Sequence, residues 1–196
     1  MIVLASTSRA RRQVLEAAGI AFRVDPAELD EAALKLRARR DGRSADECGA
    51  MLAEAKALEV ARRHSYDLVI GADQMLDCDG EWFDKPRDAD EARQQLLRLR
   101  GRTHTLHAAL AVARGCTVLW RHVEPAHLTM RRFSDAFLDA YVAAMGNAIC
   151  ATVGGYEFEG RGAQLFERVE GDHFAILGLP LLPLLSFLRG EGAIPT

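Results

Sequence analysis

The run Ser6-Thr7-Ser8-Arg9-Ala10-Arg11-Arg12 follows the apolar residues Ile2 to Ala5 and opens a helical pattern. A helix starting there turns unpaired N–H groups and the positive end of its dipole toward the serines, and arginine forks add bidentate contacts suited to phosphate. Three cations in a first turn oppose that dipole, so they need either an anion or solvent. Both readings stand, because exposed arginines are commonplace. Asp73 closes the apolar run Leu68-Val-Ile-Gly-Ala72, which reads as a strand buried on both faces and ending at the aspartate. Ligands of open α/β sheets sit beyond strand carboxyl ends, where a carboxylate can hold a metal or a water; the alternative is an ordinary turn or cap aspartate. Asp30 and Glu31 form a second acidic pair, able to offer oxygens to Mg2+ or to stand as solvated loop charge.

Lysine is scarce: Lys35, Lys56 and Lys85 are the three among 25 basic residues. A compact ammonium is a point-charge partner for phosphate, and Lys56 and Lys85 stand out for it, while Lys35 has no assigned task. Tyr156 and Phe158, beside a glycine-rich turn, are candidates to line a nucleobase pocket, whereas Trp82 and Trp120 read as packing residues. His104 and His107 fall on opposite faces of an expected strand, which argues against a metal pair. No G-x-x-x-x-G-K-[ST] loop, G-x-S-x-G elbow, H-E-x-x-H or G-x-G-x-x-G opening a helix occurs.

At 196 residues the chain suits one domain or two small lobes sharing a core. Its 49% apolar and 27% charged content is that of a folded protein, not a disordered or fibrous one. A net charge of −3 excludes bulk attraction to nucleic acid or to an anionic membrane and leaves only a local anion site. Cys48, Cys78, Cys116 and Cys150 are widely spaced, with no C-x-x-C, which favours a reduced, cytoplasmic protein without structural zinc. The five apolar residues at the N-terminus read as a strand, not a signal peptide, and Phe174–Leu188, broken by Pro180 and Pro183, is too short to span a membrane.

The elements expected to position these groups run in order. A strand at 2–5 leads into a helix at 9–18 closed by Gly19, then a short strand near 22–24, an acidic turn at 28–31 and a charged segment to Gly42. Ser44-Ala-Asp-Glu47 fits a capping box opening a long helix with Met51, Leu52, Ala55, Leu58 and Ala61 on one face. The strand at 67–72 follows, then a hairpin turn at Cys78-Asp-Gly80, a polar helix at 88–100 and two long strands at 103–113 and 117–131. A helix from Ser134 to Met145, a glycine-rich turn, a strand near 165–169 and a helix after Pro180 complete an α/β chain with a mixed sheet.

Taken in order, Leu4-Ala-Ser-Thr-Ser8 with Arg11-Arg12, Leu29-Asp-Glu31, Ala53-Glu-Ala-Lys-Ala57, Val69-Ile-Gly-Ala-Asp73-Gln74, Lys85-Pro86, Leu99-Arg-Gly101 to His104, Gly154 to Gly162, and Gly171-Asp to Gly178-Leu-Pro180 resemble the Maf family of nucleoside triphosphate pyrophosphatases. The resemblance covers nearly the whole chain. It implies one α/β domain over 1–196, a mixed, elongated twisted sheet flanked by helices, with two lobes around a central cleft. It also implies hydrolysis of a nucleoside triphosphate to monophosphate and pyrophosphate with a divalent cation, Mg2+ or Mn2+, and it suggests a homodimer. By it, Asp73 is the general base, Ser8, Arg11, Lys56 and Lys85 line the triphosphate site with Arg12 beside them, and Glu31 is a metal or catalytic carboxylate, joining Asp73 at the metal. Asp73-Gln74 and Glu159 resemble the 7-methyl-GTP subgroup, and a carboxylate can accept from the N1–H and 2-amino donors of guanine. Ala10 stands where that subgroup has a large aromatic, and Ser8-Arg9 replaces its Ser-Pro. The rival readings are a catalytically silent nucleotide-binding regulator of cell division or septum formation, and a phosphohydrolase that removes the γ-phosphate.

Overall fold

The computed structural model describes residues 1–196, from a first strand β1 (Ile2–Leu4) to a last helix ending at Gly190. β1 is wholly buried because it lies between two parallel neighbours, β2 (Arg23–Val24) and β3 (Leu68–Cys78). With β4 (Glu81–Phe83), β5 (Thr103–Arg114), β6 (Thr117–Met130) and β7 (Phe166–Glu170) they form one mixed seven-stranded sheet in the order β2-β1-β3-β5-β6-β7, with β4 paired to β3. The helices are α1 (Arg9–Ala17), α2 (Glu31–Arg40), α3 (Ala45–Ala61), α4 (Ala89–Leu99), α5 (Asp135–Met145), the single-turn α6 (His173–Ile176) and α7 (Leu181–Gly190).

Two expectations are corrected. The strand thought to end at Asp73 runs on to Cys78, because Met75, Leu76 and Cys78 continue its buried pattern and its far half pairs with β4 around the Asp79-Gly80 turn, both residues at positive φ. What ends near Asp73 is β1, whose last sheet bond runs from Ala5 N to Ile70 O at 2.8 Å. The aspartate thus still lies beyond the carboxyl end of a parallel strand, though not of its own. The charged segment after the acidic turn is a helix, α2, started by Asp30, whose side chain accepts from Ala33 N at 2.9 Å. Its three arginines in the last turn suit the negative end of the helix dipole, a signal that outweighs its weak apolar periodicity.

The contacts divide the chain into two compact units: 1–74, 107–124 and 172–196 in the first, 75–106 and 125–171 in the second. In the first unit the period-two alternation of strand side chains sorts β1 and β3 between two cores. Ile2, Leu4, Leu68, Ile70 and Ala72 face a leucine-rich core with Val14, Leu15, Leu181, Leu184 and Leu188 from α1 and α7. Val3, Ala5 and Val69 face an alanine-rich core with Ala53, Ala57, Val60 and Ala61 from α3. Trp120 packs against the leucine-rich core and stacks on Phe187 at 5.3 Å, as a packing residue should.

In the second unit, His104 is buried with its Nε2 2.7 Å from the Tyr156 hydroxyl, and Tyr156 meets Phe166 edge-on. Tyr156 is therefore core and does not line a base pocket. Gly154 turns the chain beneath it at φ 74°, where a Cβ would come within 2.7 Å of Leu76 and 2.8 Å of the Tyr156 ring. Burial pushes the His104 imidazole from its ordinary 6.5 down to about 4 and pushes the Tyr156 phenol up. Because the unfolded chain protonates His104 first, stability attributable to it is intact above pH 6.5 and falls by about 3 kcal/mol as pH drops toward 4. Denaturant titrations of wild type and His104→Gln across pH 7 to 4 should show a shallower loss in the variant; parallel losses would mean the imidazole is not buried neutral. No disulfide joins the four cysteines, and no helix is long and apolar enough to cross a membrane.

Candidate active site

The same alternation that sorts the cores aims the polar residues of β3. Asp73 shares its face with Val69 and Gly71, toward α3; Gln74 shares its face with Ile70 and Ala72, toward α1 and the C-terminal elements. On α3, Ala53, Lys56 and Ala57 occupy one face at helical spacing, so the lysine descends where the small residues touch the sheet. Gly71 makes that approach possible. A Cβ on it would lie 2.1 Å from Ala53 O and 2.6 Å from Ala57 N.

Lys56 Nζ consequently reaches Asp73 Oδ1 at 2.7 Å and, on its other side, Glu31 Oε1 at 2.9 Å. Lys56 is only 8% exposed and Asp73 5%, whereas the Glu31 side chain is 46% exposed. Asp73 Oδ2 is buried and has no hydrogen-bond partner. Leaving such an acceptor unsatisfied costs about 1–3 kcal/mol or more, so its retention points to a ligand that supplies the missing partner.

Arg11 and Ser6 complete the wall beside the aspartate. Ser8 caps α1 by accepting from Arg11 N at 3.4 Å, and Ser6 Oγ accepts from Ser8 N at 3.2 Å and from Arg11 Nη1 at 3.1 Å. Arg11 also donates to Ala72 O at 3.0 Å and to Gly178 O at 2.9 Å. Burial pulls the Arg11 guanidinium below its ordinary value, and the Asp73 and Glu31 carboxylates counter that pull.

Of the residues singled out from sequence, Glu31, Lys56 and Asp73 meet directly, with Arg11, Ser8 and Gln74 around them. Asp30 is spent as a helix cap. Arg12 turns away to an exposed i,i+4 pair with Glu16 at 3.6 Å, and Ala10 lies on α1 half-buried. Lys85 and Glu159 belong to the second unit, and both are exposed. Lys85 follows Asp84, whose carbonyl accepts from the buried Gln95 amide at 3.1 Å. Sequence reasoning missed Ser6 as an acceptor and Gly71 as the point of closest helix approach, although a lone glycine in an apolar strand is the usual mark of such an approach.

A divalent cation has no all-protein cage here, since no group of three or more His, Cys, Asp or Glu side chains converges. Mg2+ is commonly held by one or two carboxylates, with waters and substrate phosphates as its other ligands. Glu31, half-exposed, and the Asp73 carboxylate across Lys56 from it fit that donor set.

The Maf-like protein family model matches residues 1–191. A protein of Paramagnetospirillum magneticum named nucleoside triphosphate pyrophosphatase is 53% identical over 98% of this chain and 99% of its own length. One of the same name from Granulibacter bethesdensis is 50% identical, covering 98% of each chain. A Rhizobium meliloti protein named 7-methyl-GTP pyrophosphatase is 47% identical, covering 99% of this chain and 98% of its own. With a model match from the first strand to the last helix and full-length relatives near half identity, the chain belongs to the Maf family.

Proposed function

We propose that this protein is a nucleoside triphosphate pyrophosphatase that cleaves the bond between the α- and β-phosphates, with a preference for 7-methyl-GTP or a similarly modified guanine nucleotide. The observation that carries the reading is the Asp73 carboxylate, with Oδ1 fixed by Lys56 and Oδ2 buried without a partner. A water at Oδ2 is placed to give up a proton to it as the water oxygen bonds to the α-phosphorus. The bond to the bridging oxygen breaks, and pyrophosphate leaves with its electron pair. Lys56 and Arg11 put positive charge beside the phosphates, where it offsets charge on the leaving group. Ser8 and Lys85 are further candidate phosphate contacts. Glu31, with Asp73, would hold Mg2+ or Mn2+, which when bound neutralises phosphate charge.

The guanine preference is supported by Glu159, whose carboxylate can accept two base donors, and by the 47% identical relative named for 7-methyl-GTP. A panel of triphosphates incubated with the protein and Mg2+ or Mn2+, with products identified, tests the whole reading. Pyrophosphate and monophosphate are expected, fastest from 7-methyl-GTP. Orthophosphate and a diphosphate would point to γ-phosphate removal, and no turnover would point to a silent nucleotide-binding regulator. In the same panel, Glu159→Gln should lower the preference for 7-methyl-GTP over UTP by about one to two decades, the usual effect of losing one good partner in a discriminating contact. An unchanged ratio rejects Glu159 as the base reader.

A further inference from the structure

A divalent cation and the Lys56 ammonium ask for the same partners. Nζ sits 2.7 Å from Asp73 Oδ1 and 2.9 Å from Glu31 Oε1, so one nitrogen bridges the two carboxylates that fit the metal's donor set. A positive charge between two carboxylates is what a bound metal would also make, with shorter bonds, since Mg2+ takes such oxygens at about 2.0–2.1 Å. An ammonium has three donors, and two of them are spent on these contacts.

The charges of the cluster already balance. Lys56 and Arg11 stand against Asp73 and Glu31, and the Arg11 guanidinium lies in the field of both carboxylates. A divalent cation entering alone therefore meets four side chains with no net charge among them. It gains the carboxylates only by expelling Lys56, and a buried ammonium stripped of its counter-charges is costly. The two basic groups differ in freedom. Arg11 is tied to Ser6 Oγ, Ala72 O and Gly178 O, whereas Lys56 meets the two carboxylates at the end of a flexible four-carbon stem. Lys56 is thus the cation that can move, given another anion within reach. Glu31 marks the open side, as it is the first residue of α2 and its carboxylate is half-exposed while Asp73 is buried.

We propose that Lys56 is a resident plug in the divalent-cation site. It holds the Asp73 and Glu31 carboxylates together in the free protein and shuts out the metal alone. It yields to a metal that arrives with a triphosphate, whose oxygens accept the displaced ammonium. The proposal rests on the reading of Asp73 and Glu31 as metal carboxylates and of a triphosphate as substrate. Asp73 Oδ2, buried and unpartnered, takes no part in the exchange, which leaves it to the water. An open metal site would fill with metal whether or not nucleotide is bound. A plugged one couples the two ligands, so each raises the affinity for the other.

The first test is Mn2+ alone, titrated into the intact protein and followed by loss of the free-ion EPR signal. Lys56→Met keeps an unbranched stem and both carboxylates. It is expected to bind Mn2+ about ten- to a hundredfold more tightly than wild type, the effect of removing a unit positive charge a few ångströms away. Adding Glu31→Gln to Lys56→Met should cancel that gain. Equal affinities in wild type and a folded Lys56→Met overturn the plug. The second test needs no variant at that position. The chain has three lysines, so labelling with 15Nζ-lysine gives three ammonium resonances, and Lys35→Arg and Lys85→Arg identify the other two. Mg2+ alone is expected to leave the Lys56 resonance in place, and Mg2+ with α,β-methylene-GTP, which resists cleavage at that bond, to shift it. A shift with Mg2+ alone, or none once the analogue has bound with Mg2+, overturns the plug. If wild type releases no pyrophosphate and the analogue does not bind, the substrate reading fails by itself; the Mn2+ and Mg2+ titrations still decide whether Lys56 shuts out the metal.

Discussion

Asp73→Asn is expected to cut kcat for pyrophosphate release by about a hundred- to ten-thousandfold, the range a positioned general base supplies, while the fold survives. The amide keeps the shape of the carboxylate. Its oxygen can still accept from Lys56 Nζ, which also retains Glu31 Oε1 at 2.9 Å. The amide nitrogen then occupies the position of Oδ2, which accepts from no protein group, so no protein donor is lost there. What disappears is the capacity to take a proton from water, together with one negative charge at the site. Steady-state kinetics and a thermal melt on the same preparation separate the two consequences. A melting temperature close to that of wild type with collapsed kcat supports the base assignment. Turnover within tenfold of wild type would remove Asp73 from that role and leave its burial beside Lys56 as a matter of structure.

Much of the architecture was written in local signals. Ser44 and Glu47 form the capping box that their spacing announced, with Ser44 N donating to Glu47 Oε2 at 2.9 Å, and Ser8, Asp88 and Ser134 cap helices where the sequence breaks suggested. These are contacts within four residues, so the sequence carries them whole. The failures concern partners that lie outside the local run being read. Asp73 looked like a strand end because the apolar run stops there, but β4 supplies a partner that carries the strand to Cys78. Tyr156 looked available to a ligand because glycines surround it, but His104 lies 52 positions away and takes its hydroxyl into the core. Arg11 and Arg12 are neighbours of the same type, yet helical geometry sends one to three acceptors beside Asp73 and the other to a surface glutamate. Lys56 stood out as a rare lysine, and it is the lysine that meets Asp73 and Glu31. Its partners did not follow from scarcity. They follow from the position of Gly71 against Ala53 and Ala57.

Gly71→Ala should therefore damage stability and the site together. Replacing a glycine in a strand by alanine ordinarily helps by about 0.4–1 kcal/mol, since the unfolded chain has fewer states to lose. Here the new Cβ would meet Ala53 O at 2.1 Å, Ala57 N at 2.6 Å and Ala57 Cβ at 2.9 Å. Two of those three atoms are helix backbone, which cannot rotate away, and comfortable carbon contacts need about 3.5–4.0 Å. α3 has to lift from the sheet by more than an ångström, and overpacking of that kind costs about 3 kcal/mol, well above the entropic gain. For a chain of this size the loss corresponds to a melting temperature lower by about 6–12 °C. Lys56 rides on the same face of α3 as Ala53 and Ala57, so the lift also draws its ammonium from Asp73, and kcat should fall by about a hundredfold in the molecules that remain folded. Adding Ala57→Gly removes the Cβ contact but neither backbone one, so it should restore little of either property. A Gly71→Ala protein with the wild-type melting temperature and turnover would show that α3 does not lean on β3 at this glycine, and the placement of Lys56 would need another cause.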